Sequence, residues 1–313
     1  MSRPLSLADV AQERGLADAL SLNEPLSKHT SYGIGGPADY LTTVKGIEQL
    51  CAWVALAREL EQPFMVWGRG TNLLVADGGY RGLVILNRCL GYSLDRTSRR
   101  VYAEAGVVLA RLARQTAKSG SGGLEWAVGV PGTIGGAVVN NAGAYGGEIA
   151  RVVRRVSILD RKGQIQELRP EELALGYRTS CFKAATHRND IILSADLQLV
   201  PEETDVLEER TLRFTALRQA AQPRERSAGS VFKNPPGRSA GQLIEEAGLR
   251  GTRIGDAQIS HQHANYIVNT GRAKAAEVLK LINLAKERVN QLFGVELELE
   301  IELIGDWREP HAN

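Results

Sequence analysis

Ten of the 29 residues from Ser119 to Gly147 are glycine, and no other feature restricts the possible folds of this chain more. A stretch with so few Cβ atoms is too glycine-rich for a plain helix or strand, because glycine loses the most backbone freedom on ordering. Within it, Gly129-Val130-Pro131-Gly132-Thr133-Ile134-Gly135-Gly136 leads into Asn140-Asn141-Ala142-Gly143-Ala144-Tyr145-Gly146. Two readings fit: a glycine-packed crossing of strands, or a place where backbone and a flat ligand approach closely. A second cluster, Gly68-Arg69-Gly70-Thr71-Asn72, follows the apolar run Phe64–Trp67. Successive N–H groups in such a loop can converge on an anion, and Thr71 and Asn72 can add hydrogen bonds. It is not a Rossmann fingerprint. Leu73 takes the place of the third glycine, and Leu73–Val75 followed by Asp77-Gly78-Gly79 reads as extended chain and turn instead of a helix start. Taken alone, the cluster also fits a tight turn at the end of a strand.

Around these loops the chain alternates. A short strand over Asp39–Val44, a helix over Ile47–Leu60 stopped by Pro63, and strands Phe64–Trp67 and Gly82–Leu86 follow from apolar spacing. Arg100–Glu104 reads as a strand and Val107–Lys118 as a helix. Val152–Leu159 and Gln164–Leu168 flank Asp160-Arg161-Lys162-Gly163 as a hairpin, and Ile191–Leu199 is a further strand. A charged helix over Pro201–Gln222 leads into helices Ser239–Ala247 and Ala273–Leu292, a strand Tyr266–Val268 and a closing alternating strand Val295–Ile304. This pattern divides the chain into residues 1–85, 86–205 and 206–313.

Composition rules out several classes. Charged residues make up 24% with a net charge of only +2, so nothing argues for a nucleic-acid partner. No apolar run is long enough to span a membrane, and the start, Ser2 and Arg3 in a polar amphipathic run, lacks a signal-peptide core; a cytoplasmic protein is expected. Cys51, Cys89 and Cys181 lie far apart, outside any CxxC pair, and read as buried thiols. His261-Gln262-His263 has no second cluster to complete a metal site, so none is expected.

From the residues alone, the remaining polar groups are unremarkable. Ser230 reads as a turn serine, Arg178 as a surface arginine, and Glu300 as one of four carboxylates, with Glu296, Glu298 and Glu302, on a solvated strand face. Their meaning changes with a resemblance. The two glycine loops, His29-Thr30-Ser31-Tyr32-Gly33-Ile34-Gly35-Gly36, Gly176-Tyr177-Arg178-Thr179-Ser180-Cys181-Phe182-Lys183, Gly229-Ser230-Val231-Phe232-Lys233-Asn234-Pro235 and the closing segment occur in the order seen in the UDP-N-acetylenolpyruvoylglucosamine reductase family, which the chain resembles over roughly residues 25 to 305.

The resemblance implies an α+β, three-domain FAD protein of the vanillyl-alcohol-oxidase (PCMH) type, with two FAD-binding subdomains and a C-terminal α+β substrate-binding domain. It implies FAD held by Gly68, Arg69, Gly70, Thr71, Asn72, Leu73, Val130, Gly132, Thr133, Gly135, Gly136, Asn141 and Gly143, with NADPH as hydride donor. The implied substrate is UDP-N-acetyl-enolpyruvoylglucosamine, contacted by Tyr145, Tyr177, Lys233, Asn234 and His263. Ser230 would supply a proton, and Arg178 and Glu300 would stabilise an enolate; a monomeric enzyme of peptidoglycan precursor synthesis follows. Because 51 residues lie between Arg178 and Ser230, the chain resembles the subtype without a tyrosine-bearing insertion. An FAD oxidase of the same wider group and a silent nucleotide-binding module are the rival expectations.

Overall fold

The computed structural model describes residues 6–307. Seven α-helices occur among them: α1 (Leu7–Glu13), α2 (Ile47–Glu59), α3 (Leu109–Lys118), α4 (Ile134–Val139), α5 (Thr204–Ala221), α6 (Ala240–Glu246) and α7 (Ala275–Phe293). None is long and apolar enough to cross a membrane. The chain forms two compact units, each built from discontinuous segments.

The first unit comprises the N-terminal segment to Leu20, Thr42–Gly68 and Val84–Arg218. Its centre is an antiparallel five-stranded sheet in the order Ile165–Leu168, Val153–Leu159, Ile191–Gln198, Arg100–Glu104, Tyr92–Asp95. The predicted hairpin turn is present: Asp160 Oδ1 accepts from the amides of Lys162 (2.9 Å) and Gln164 (2.8 Å), and Gly163 takes φ +79°. One sheet face packs Val101, Ala103, Val156, Ala195 and Leu197 with Leu109, Leu112 and Ala113 of α3 and Ile134 and Val138 of α4. Full burial of each large aliphatic there contributes about 1.5–3 kcal/mol.

The second unit comprises Ser21–Leu41, Arg69–Leu83 and the chain from Gln219 onward. A three-stranded antiparallel sheet, Arg253–Ile254, Ala257–Ile259 and Ile267–Asn269, shares its core with α6 and α7. The buried stripe of α7 (Ala275, Val278, Leu281, Ile282, Ala285, Val289) follows the 3.6-residue period, and the helix ends at Gly294 in the left-handed region. The Asp77 carboxylate accepts from the first amides of that helix, Ala275 N at 2.9 Å and Ala276 N at 3.0 Å.

Three expectations need correction. The glycine-rich stretch does contain a helix, α4, capped by the Thr133 side chain and held by tertiary contacts that glycine content does not reveal. The closing strand is shorter than its alternation suggests: only Glu302–Ile304 forms one, parallel to Leu73–Val75, because only those residues find a regular partner. Cys51 is half-buried, unlike Cys89 and Cys181.

Candidate functional site

In the first unit, both glycine loops meet at Gly68. A Cβ there would lie 2.5 Å from Thr133 Oγ1 and 2.9 Å from Thr133 Cγ2, so only glycine permits the contact. The loop through Thr133–Gly136 is stitched to the segment before α3: Ile134 N donates to Val107 O and Gly135 N to Ala105 O, both at 2.9 Å. Val130 and Gly132 carry the chain into this turn. Asn141, only 2% exposed, holds its surroundings together: Nδ2 donates to Glu148 Oε2 (3.1 Å) and Gly176 O (3.0 Å), and Oδ1 accepts from Ala150 N (3.0 Å).

Arg178 is not the free surface arginine its type suggests. Gly176 and Thr179 exchange backbone hydrogen bonds (3.1 and 3.2 Å), leaving Tyr177 and Arg178 as a two-residue turn. Arg178 takes φ +54°, a conformation that costs a non-glycine residue on the order of 1–3 kcal/mol. Its Nη2 donates to Gly143 O at 2.9 Å, its Cζ lies 5.3 Å from the Tyr177 ring centroid, and Lys183 Nζ donates to its carbonyl at 3.1 Å. Tyr145 also has positive φ, +51°, and its ring stacks on Phe214.

The second unit carries Arg69–Leu73. Gly70 takes φ +60°, and a Cβ there would lie 2.3 Å from His29 O. The amides of Gly70, Thr71 and Asn72 donate to no protein acceptor among the described residues, while Gly70 O accepts from Ser31 N at 3.0 Å. Consecutive free N–H groups at a left-handed glycine form the kind of nest that takes a phosphate oxygen. This fits the pyrophosphate of a dinucleotide such as FAD.

The same loop is laced to the closing segment. Asn72 Nδ2 donates to Glu300 O at 3.0 Å, and Asn72 O accepts from Glu302 N at 2.9 Å. On the other side, Glu300 N donates to Val231 O (2.8 Å) and Lys233 N to Glu298 O (2.9 Å), with a β-bridge between Phe232 and Leu299. The segment after Ser230 thus runs antiparallel to Glu298–Glu300, bringing together two residues 70 positions apart in sequence. Glu300 and Glu302 are half-buried whereas Glu296 and Glu298 are exposed, so burial halves the set of carboxylates the alternation left equivalent; of the remaining two, Glu300 is the one whose amide bonds directly to Val231 O.

Asn265, buried and unremarkable in sequence, positions this pair. Its Oδ1 accepts from Phe232 N (2.9 Å), its Nδ2 donates to Phe232 O (2.8 Å), and its carbonyl accepts from Val231 N (2.8 Å). Among the remaining expected contacts, Lys233 Nζ pairs with Glu298 Oε2 at 3.1 Å, and Asn234 Oδ1 accepts from Ala240 N at 3.0 Å. Burial holds the His263 imidazole below its ordinary pKa, and its Nδ1 accepts from Asn265 N at 3.2 Å. The ring therefore offers a neutral Nε2–H donor, not a cation.

A family profile for the C-terminal domain of UDP-N-acetylenolpyruvoylglucosamine reductase matches residues 222–304, and one for an FAD binding domain matches residues 38–169. UDP-N-acetylenolpyruvoylglucosamine reductase of Rubrobacter xylanophilus is 44% identical over 93% of this chain and 97% of its own length. That of Moorella thermoacetica is 42% identical over 94% and 96%. The crystal structure of the Thermus caldophilus reductase superposes with a TM-score of 0.76 at 38% identity, covering 91% of this chain and 98% of that one.

Proposed function

This chain belongs to the UDP-N-acetylenolpyruvoylglucosamine reductase family, and on that premise we propose that it reduces the enolpyruvyl ether of UDP-N-acetylglucosamine to the lactyl ether of UDP-N-acetylmuramate at the expense of NADPH. FAD, when bound, supplies the hydride carrier that links NADPH oxidation to substrate reduction. The amides of Gly70, Thr71 and Asn72 hold its pyrophosphate, with Gly68, Arg69, Leu73, Val130, Gly132, Thr133, Gly135, Gly136, Asn141 and Gly143 shaping the rest of its seat. Residues 1–85 and 86–205 form its two subdomains, and 206–313 binds the sugar nucleotide. We place the enzyme in the cytoplasm as a monomer.

In this reading, hydride adds to the terminal enolpyruvyl carbon and the displaced electron pair moves onto the substrate carboxylate. Arg178 stabilises that enolate through planar, permanently charged donors, and Glu300 assists. The Ser230 hydroxyl gives its proton to the adjacent carbon, completing the lactyl group. Tyr145, Tyr177, Lys233, Asn234 and His263 orient the nucleotide sugar, His263 as a neutral donor. The observation that carries the proposal is the hydrogen bond from Glu300 N to Val231 O at 2.8 Å, which sets the half-buried Glu300 beside the Ser230 segment. NADPH oxidation under anaerobic conditions should depend on the enolpyruvyl nucleotide sugar; turnover that needs only oxygen would overturn the proposal in favour of an oxidase.

A further inference from the structure

The 143–148 hairpin is built against the preference of its own turn. Gly143–Ala144 pairs antiparallel with Gly147–Glu148, so Tyr145 and Gly146 alone make the turn, at φ +51° and +81°. Two-residue turns with both central residues left-handed favour asparagine and glycine. Tyrosine fits poorly there, and this one is still 41% exposed, so core burial does not account for it. What the ring does meet is Phe214 of α5: centroids 4.8 Å apart, planes within 11° of parallel. Phe214 packs on the core of the first unit, and Arg213 Cζ lies 5.5 Å from its ring centroid. At its other end the hairpin receives the guanidinium of Arg178 on Gly143 O, and Asn141 donates to its Glu148.

We infer that Phe214 is a positioning residue: its stack on Tyr145 fixes the hairpin tip, and through the Gly143 carbonyl that hairpin sets the bearing of Arg178. Its effect on turnover rests on the function proposed above, whereas its hold on the hairpin does not. A local preference violated at a surface turn and compensated by one specific contact is what a functional constraint leaves behind. The aromatic pair adds attraction beyond simple area burial, and only a ring at position 214 supplies it.

The test uses FAD-loaded protein carrying Phe214→Leu or Phe214→Tyr. The leucine variant should lower kcat/KM for the enolpyruvyl nucleotide sugar by about 3–10-fold, the size expected of one aromatic pair, and the tyrosine variant should restore it. Amide exchange across residues 143–148 should rise in the leucine variant and stay at the parent level in the five-stranded sheet. Parent-like exchange in the hairpin of the leucine variant overturns the inference, as does a tyrosine variant no better than leucine. If the parent fails to turn over the nucleotide sugar, the proposed function falls, and the exchange measurement still decides whether Phe214 holds the hairpin.

Discussion

The two units carry their candidate site residues in opposite ways. In the first, Arg178 and Tyr145 sit on two-residue turns in left-handed backbone, held by a stacked ring and by side-chain bonds to carbonyls. In the second, Ser230 and Glu300 sit on irregular segments that pair side by side, held by main-chain bonds of Val231, Lys233 and Glu300 and by one buried asparagine. The difference separates two kinds of preorganisation. Strained turns aim long side chains at a local cost, while laced segments fix side chains whose position depends on the backbone itself.

Ser230→Ala tests the laced side and carries the largest expected effect. The methyl leaves every main-chain bond intact, so flavin reduction by NADPH should persist, while flavin reoxidation by the substrate slows by about 10²–10⁴-fold in stopped flow. Equal loss in both half-reactions would remove the proton-donor role. Arg178→Gly tests the strained side. Turnover should fall by about 10²–10³-fold for want of the guanidinium. Thermal stability should stay within about 1 kcal/mol of the parent, since glycine adopts φ +54° freely and the relief offsets the lost bond to Gly143. A large destabilisation would show that Arg178 is a structural residue.

Asn265→Leu should separate the units by stability. It leaves the N–H and C=O of Phe232, a residue 1% exposed, without partners, at a cost of about 2–4 kcal/mol in denaturant titrations. A smaller loss would mean that main-chain bonds, those to Glu298–Glu300 and that of Val231 N to the carbonyl of residue 265, hold the Ser230 segment without the side chain.

How much of this could be read from sequence follows the same division. Elements with strong periodicity were legible to within a residue or two, as Phe64–Trp67, Arg100–Glu104 and α7 show. The helix α4 was not, because beyond its local Thr133 cap it is held by tertiary contacts with Ala105 and Val107. The closing segment misled because alternation reports which faces differ in polarity, not whether a neighbouring strand exists. Ser230, Arg178 and Glu300 were visible only through family resemblance; nothing local sets one glutamate of an alternating run apart, and in the fold it is the main-chain bond from Glu300 to Val231 that does. Asn265 left no signal at all, since a buried asparagine and a loop asparagine look alike in sequence. Phe214 left a faint one, as the sole aromatic in the otherwise polar and aliphatic α5.

The smallest expected effect concerns His263, which touches the laced region through the amide of Asn265. Burial lowers its pKa in the folded state below the ordinary 6.5, so the unfolded chain binds the proton more readily. Stability from this group is therefore complete above pH 6.5 and is lost as pH falls below that value towards the folded pKa. His263→Asn keeps a side-chain acceptor for the Asn265 amide but cannot titrate, so its denaturation midpoint should change less than the parent's between about pH 7.5 and 5. Glu24, held below the usual carboxylate range by its hydrogen bond to His29, and Asp256, held there by the Arg272 amide, lose their contributions only at lower pH. Identical slopes in parent and variant across that window would mean that protonated His263 finds room without disturbing Asn265, and that the Ser230 segment is insulated from it.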